Sequence, residues 1–178
     1  MKRKTNISWL IKVILISIAA SMVFTLASTE ILGWAGLPVA FALLFVFIIV
    51  GIIFDIIGIA VAAAKESPFH SMASRRERGA AQSINLIRNA DKVTSFCNDV
   101  VGDVTGIVSG TTAALVAARL MDGLSTENII FPLLISGSVT GLTIGGKAIG
   151  KAAAIRNSTN IVHSVGKLIS TLHRNPKP

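Results

Sequence analysis

Long stretches of this chain show no alternation between apolar and polar positions. Ile7 to Ser28 is apolar apart from Lys12 and scattered hydroxyl residues. After a turn bearing Glu30, a second run from Leu37 to Ala64 includes FALLFVFIIVGIIFDIIGIAVAAA, broken by one acid, Asp55. A weaker run spans Val93 to Ala118, and a fourth spans Ile129 to Gly150. Apolar runs of about 18 residues or more predict helices that cross a bilayer. The expected fold is an all-α integral membrane protein with about four transmembrane helices.

The segments between the runs carry a different period. Within Lys65 to Lys92, Ala80, Ala81, Ile84 and Ile87 recur at helical spacing, with Gln82, Asn85 and Arg88 between them. This pattern predicts a short amphipathic helix lying at the membrane interface. Ile161, Val162, Val165, Leu168 and Ile169 predict a second one in the basic tail. The expected organisation is an extra N-terminal helix and outer turn (1–36), a main transmembrane domain (37–157) with a polar segment at 65–92, and a tail helix (158–178).

Charge then orients these elements. The net charge is +8, and the 65–92 segment holds six Lys/Arg against three acids. Lys2, Arg3 and Lys4 precede the first run, and Lys151, Arg156, Lys167, Arg174 and Lys177 follow the last. Bases flanking apolar runs mark the cytoplasmic side, so both termini are expected there, in the cell membrane. No basic stretch is interleaved with aromatics, which argues against nucleic acid as a partner. The first run is read as a spanning helix, with a cleaved signal peptide as its alternative, because SIAASMVFTLAST offers small residues for cleavage.

Chemistry outside the runs is sparse. The single Cys97 excludes an intramolecular disulfide and reads as a small core residue. Ser67, His70, Ser71, His163 and His173 have no spacing that defines nucleophile, base and orienting acid, so no enzyme is expected. Two glycine ladders stand out instead: Gly102, Gly106 and Gly110 in the third run, and Gly137, Gly141 and Gly145 in the fourth. Small residues four apart let helix backbones approach closely in lipid, within a chain or between chains.

Charges inside the runs are the candidate chemistry. An ionised group at mid-membrane costs at least about 3 kcal/mol, so it faces a partner or a wet cavity. Asp99 and Asp103 are four apart on one helix face, shared or bordered by Ser95, Gly102, Gly106 and Ser109, and Asp55 is available from the second run. Oxygen donors of this kind suit a hard divalent cation such as Mg²⁺. The alternatives are a proton relay, or a buried ion pair between one acid and Lys147. Counted from the inner ends of the runs, Lys147 lies about 6 Å deep, Asp99 about 10 Å, and Asp55 and Asp103 about 15 Å, which favours Asp99 as its partner.

Two stretches carry a family resemblance. ASRRERGAAQSINLIRNADKVTSF resembles a segment of the cyclin M (CNNM)/CorB–CorC transmembrane domain: a basic helix, Gly-Ala, an amphipathic helix, an Asn-Pro-Asp-like break and a serine entering the next span. Here these are Arg75 and Arg76, Gly79-Ala80, Leu86-Ile87, Asn89-Ala90-Asp91 and Ser95. GKAIGKAAAIRNSTNIV is similar to the family's closing G-E-x-x-P-K and Arg-Asn, through Gly146, Lys151, Arg156 and Asn157. The resemblance covers roughly Gly51 to Lys167, without the CBS domains that usually follow. It implies a Mg²⁺-type divalent cation transporter or sensor acting as a homodimer. The ion-site motif departs from the family: S-G-S-E-T-A falls on Asp55 to Ala60 with only the alanine kept, and Lys147 stands where the family has Glu. A cation would therefore need a rearranged set: Asp55, Asp99, Asp103, Asn98 and Ser95. The competing function is a non-transporting scaffold or accessory subunit, its buried charges paired and its basic segment on lipid or on a membrane or cytoplasmic protein.

Overall fold

The computed structural model describes residues 7–34, 36–125 and 128–172, and these are mostly helical, with no strand among them. Met1 to Asn6, with their bases, and His173, Arg174 and Lys177 lie outside the described residues. The helices are α1 (Ile7–Trp34), α2 (Leu37–Ala63), α3 (Ser67–Ser74), α4 (Ala80–Arg88), α5 (Ala90–Ser95), α6 (Asp103–Leu124), α7 (Ile130–Arg156) and α8 (Ser158–Leu172). A π-helical segment, Phe96–Gly102, joins α5 to α6.

Four helical stretches among the described residues are long and apolar enough to cross a membrane: Ile7–Ile31, Leu37–Ala63, Ala90–Leu124 and Ile130–Arg156. A 27-residue helix is about 40 Å long, more than the hydrocarbon core requires. The last of these continues six residues beyond the Gly150 end that hydropathy predicts. Polar Lys151 and Arg156 lower the window average, but nothing there breaks the helix, and Asn157 begins the turn into α8. Both expected amphipathic helices form, α4 over Ala80–Arg88 and α8 over Ser158–Leu172. Hydropathy alone does not find α3, an eight-residue helix with Pro68 in its first turn, where proline's missing N–H costs nothing.

By internal contacts the chain forms two compact units. The first holds the described residues up to Ile52 together with Asp99–Gly146; the second holds Ile53–Asn98 and the residues from Lys147 onward.

In the first unit α1 packs against α6. Ser28 is buried there, and its hydroxyl lies 3.0 Å from that of Thr112, which itself reaches the Val108 carbonyl at 2.8 Å. One hydrogen per hydroxyl makes Ser28 the donor to Thr112 when Thr112 donates to Val108. Phe24 of α1 meets Phe47 of α2 edge to face, ring centroids 6.2 Å apart. Leu44, Ile48 and Ala113 form a small core, and Ala40 with Val116 another. Most other apolar side chains of α1, from Ile7 to Trp34, are exposed.

The second unit has one core: Ala60, Val61, Phe69, Ala154 and Val162, surrounded by Ile84, Ile87 and Val93 among others. α4 and α8 cross at two glycines. Gly79 has φ +86°, a backbone conformation that side chains rarely adopt, and a Cβ on it would strike the backbone of Gly166 and Lys167. A Cβ on Gly166 would strike the Ser83 hydroxyl and the Gly79 carbonyl. Ser83 is fully buried in the crossing and reaches the carbonyls of Gly79 at 2.9 Å and Val162 at 3.1 Å.

Candidate functional site

The five residues expected as a ligand set divide between the units. Asp99 and Asp103 belong to the first; Asp55, Ser95 and Asn98 belong to the second.

In the first unit, Asp99 lies in the π-helical segment and Asp103 opens α6 one turn later. Both line a cavity of about 420 Å³ whose opposite wall is α1, through Ser17 and Ser21, themselves one turn apart. Ile18 and Met22 on α1, with Val104 and Ile107 on α6, supply its apolar lining. Two exposed acids and two serines thus line one cavity, on helices long enough to span a bilayer. A π turn widens the helix and recurs at functional positions. Neither serine stands out from the sequence, because serine is common in membrane helices; their i, i+4 spacing on an otherwise apolar helix is the signal that could have found them. Among the described residues no three His, Cys, Asp or Glu side chains form a metal-holding group. The oxygen set here is two acids and two hydroxyls, which fits a hydrated hard cation: Mg²⁺ keeps several waters and needs only one or two carboxylates.

In the second unit, Asp55 has a different neighbour. Lys147 Nζ lies 3.8 Å from Asp55 Oδ1, with the two side chains 28% and 16% exposed. The ion pair weighed from the sequence therefore forms with Asp55, not with Asp99. The reason is helix length: α7 runs on to Arg156, so Lys147 lies nine residues, about 14 Å, from its end, and Asp55 lies about 12 Å from the end of α2. Counting from Lys151 placed Lys147 too shallow. With an ammonium beside it, Asp55 is a poor cation ligand.

Asn98 sits against Gly58. A Cβ on Gly58 would strike the Asn98 side-chain oxygen, which is buried without a hydrogen-bond partner. Thr94 Oγ1 donates to the Gly58 carbonyl at 3.1 Å, and Cys97 packs alongside, buried. Ser95 ends α5, half-buried.

No family model, curated protein or solved structure matches the chain.

The glycine ladders make few contacts inside the chain. Gly102 is buried, its carbonyl 4.0 Å from where a Cβ on Gly51 would lie, whereas Gly106, Gly110, Gly137, Gly141 and Gly145 have nothing within 4 Å of an added Cβ. Close packing occurs at isolated glycines instead. A Cβ on Gly51 would come 2.6 Å from Thr105 Oγ1, and one on Gly146 would strike Ile52.

Outside the apolar helices, Glu66 bridges α3 and α4. It receives His70 Nε2 at 3.1 Å and lies 3.4 Å from Arg88 Nε, and these contacts, His70 first, hold its carboxyl below the ordinary value of 4.5. His163 Nε2 donates to the Arg78 carbonyl at 3.1 Å and lies 4.0 Å from Glu77. Ser67 begins α3, and the Ser71 carbonyl accepts from Ser74 Oγ.

Proposed function

We propose that this chain is a cell-membrane protein that handles a hard divalent cation of the Mg²⁺ type, as transporter or sensor, with Asp99 and Asp103 as anionic ligands. The observation that carries the reading is one cavity lined by Asp99 and Asp103 on one side and by Ser17 and Ser21 on the other. Carboxylates at such depth need a partner, and a hydrated cation supplies one. The resemblance to the CNNM/CorB–CorC membrane domain points to the same ligand class. The proposed site is smaller than the set expected from the sequence, because Asp55 is engaged by Lys147. The bases collected in the second unit favour a cytoplasmic location for both termini. The unfilled glycine ladders favour a homodimer.

The test is thermal stability of the purified protein across Mg²⁺, Mn²⁺, Co²⁺ and Ca²⁺. Wild type gains stability at millimolar metal, and Asp99→Asn and Asp103→Asn each abolish the gain. A flat response in wild type removes the cation reading. It then favours the second one, an accessory membrane subunit, for which the Asp55–Lys147 pair speaks: a charge pair at that depth joins helices without moving anything.

A further inference from the structure

The strongest charge feature lies away from the proposed cation site. Between α3 and α4 the chain presents Arg75, Arg76 and Arg78, all exposed. Their loop is held by its backbone: the N–H of Arg76 donates to the Ala73 carbonyl at 2.9 Å and that of Glu77 to the Met72 carbonyl at 3.0 Å. Arg76 itself has φ +56°, a conformation held in place by these bonds. From the other side, α8 grips the loop through His163 on the Arg78 carbonyl and through Gly166 and Lys167 against Gly79. The Lys167 backbone abuts the end of the loop, and its side chain is exposed too. Four cations are thus gathered on one scaffold, with Glu77 the one acid in the loop.

The surroundings select the partner. Two residues beyond the apolar α2 comes Lys65, and the last turns of α7 carry Lys151 and Arg156, so bases cluster where the apolar helices end. Beside Lys167, Leu168 and Leu172 stand 63% and 78% exposed, one turn apart on α8. Exposed leucines next to bases on a short helix suit the boundary between headgroups and acyl chains. Clustered bases at that level attract anionic lipids.

We infer that the loop Arg75–Arg78, together with Lys167, binds the phosphate headgroups of anionic phospholipids, with Leu168 and Leu172 entering the same leaflet. This rests on the membrane reading of the apolar helices and is independent of cation binding. The backbone that carries the arginines is tied down by hydrogen bonds within the chain, which lowers the ordering cost of binding.

The full chain in neutral detergent micelles is titrated with phosphatidylglycerol or phosphatidylcholine, following the thermal midpoint and lipid affinity. Wild type is expected to be stabilised by phosphatidylglycerol and not by phosphatidylcholine. Each base near an anionic surface contributes about a factor of five, so Arg75→Gln/Arg76→Gln/Arg78→Gln weakens phosphatidylglycerol binding by roughly a hundredfold. The corresponding triple lysine variant retains most of the binding, which separates lost charge from misfolding. Lys151→Gln/Arg156→Gln, two bases outside the loop, is expected to lose no more than about twenty-fivefold. An equal loss in that control overturns the assignment to the loop, and equal responses to the two lipids overturn the inference outright. Equal stabilisation by inorganic phosphate overturns the lipid as its ligand. Extraction of membranes with alkaline carbonate separates the two readings. Release of the chain would overturn the membrane reading and the inference with it, whereas a retained chain without lipid preference overturns the inference alone.

Discussion

The two units of this protein use the same residue types for opposite purposes. In the first, the described charges are Lys12 and Arg119 against Glu30, Asp99, Asp103 and Asp122. In the second, ten lysines and arginines stand against Asp55, Glu66, Glu77 and Asp91. Glycine shows both behaviours within the first unit: Gly106, Gly110, Gly137, Gly141 and Gly145 face open space, while a methyl group on Gly51 or Gly146 would collide, as one on Gly58, Gly79 or Gly166 would in the second. An acid or a glycine has no fixed meaning; what approaches it decides. Among the described residues nothing comes within 4 Å of a Cβ added at the five open ladder glycines of the first unit. In the second unit the glycines close a core, and the charges either pair or face outward.

The sharpest way to break this contrast is to add one methyl group in each unit. Gly166→Ala pushes a Cβ into Ser83 and the Gly79 carbonyl, and overpacking of this kind costs about 3 kcal/mol at the upper end. Gly141→Ala meets nothing and should change chain stability by no more than about 0.5 kcal/mol. Denaturation in detergent measures both. If Gly141→Ala instead disrupts the oligomer, the ladder is a contact between copies. If Gly166→Ala is silent, the crossing of α4 and α8 is looser than described.

Next in size is the Asp55–Lys147 pair. Lys147→Met leaves a mostly buried carboxylate alone, and at 3.8 Å with partial exposure the expected cost is about 1–2 kcal/mol. Adding Asp55→Asn should restore most of it. A double-mutant cycle reads the coupling directly. Additive effects would return Lys147 to the search for another partner.

What the sequence revealed and what it hid follow from this contrast. The apolar runs, α4 and α8 were legible because hydropathy and period are local properties of twenty or fewer residues. The Asp55–Lys147 pair was half legible: the charges were evident, but their depths depended on where α7 stops, and a helix carrying Lys151 and Arg156 gives no hydropathic sign of its end. Ser17 and Ser21 were hidden because a hydroxyl in a membrane helix ordinarily bonds its own backbone, as Thr143 does to the Val139 carbonyl at 2.8 Å. The periodic glycines drew the eye, yet the packing glycines are isolated ones: Gly51, Gly58 and Gly146 in the apolar helices, Gly79 and Gly166 in the polar segments. For Gly79 and Gly166 the role is set by a partner 87 residues away, and no local pattern encodes it.

Smaller again is Ser28→Ala in the first unit, which removes a buried hydroxyl from the α1–α6 contact. Interhelical hydrogen bonds in membrane proteins average about 0.6 kcal/mol, because the separated helices find other partners. The expected loss is of that order, well below the cost at Gly166, and unfolding in mixed micelles measures it. A loss several times larger would mean that Ser28 and Thr112 hold α1 in place almost alone.

The smallest effect belongs to Glu66, on the surface of the second unit, and it is seen as a pH dependence. His70, and then Arg88, hold its folded-state carboxyl below the ordinary 4.5. A carboxyl shifted in that direction contributes stability that is fully present above its unfolded value and is lost as the pH falls through its folded one. Wild type should therefore lose stability on acidification below about pH 4.5 more steeply than Glu66→Gln, with the two curves parallel above pH 6 apart from a constant offset. His70→Ala removes the largest cause and should move the steep part of the curve back towards 4.5. Because the side chains are exposed, solvent and salt screen the contact, and added salt should shrink the difference between wild type and Glu66→Gln. Identical acid limbs in wild type and Glu66→Gln would show that α3 and α4 are joined by the apolar contacts of Phe69 alone.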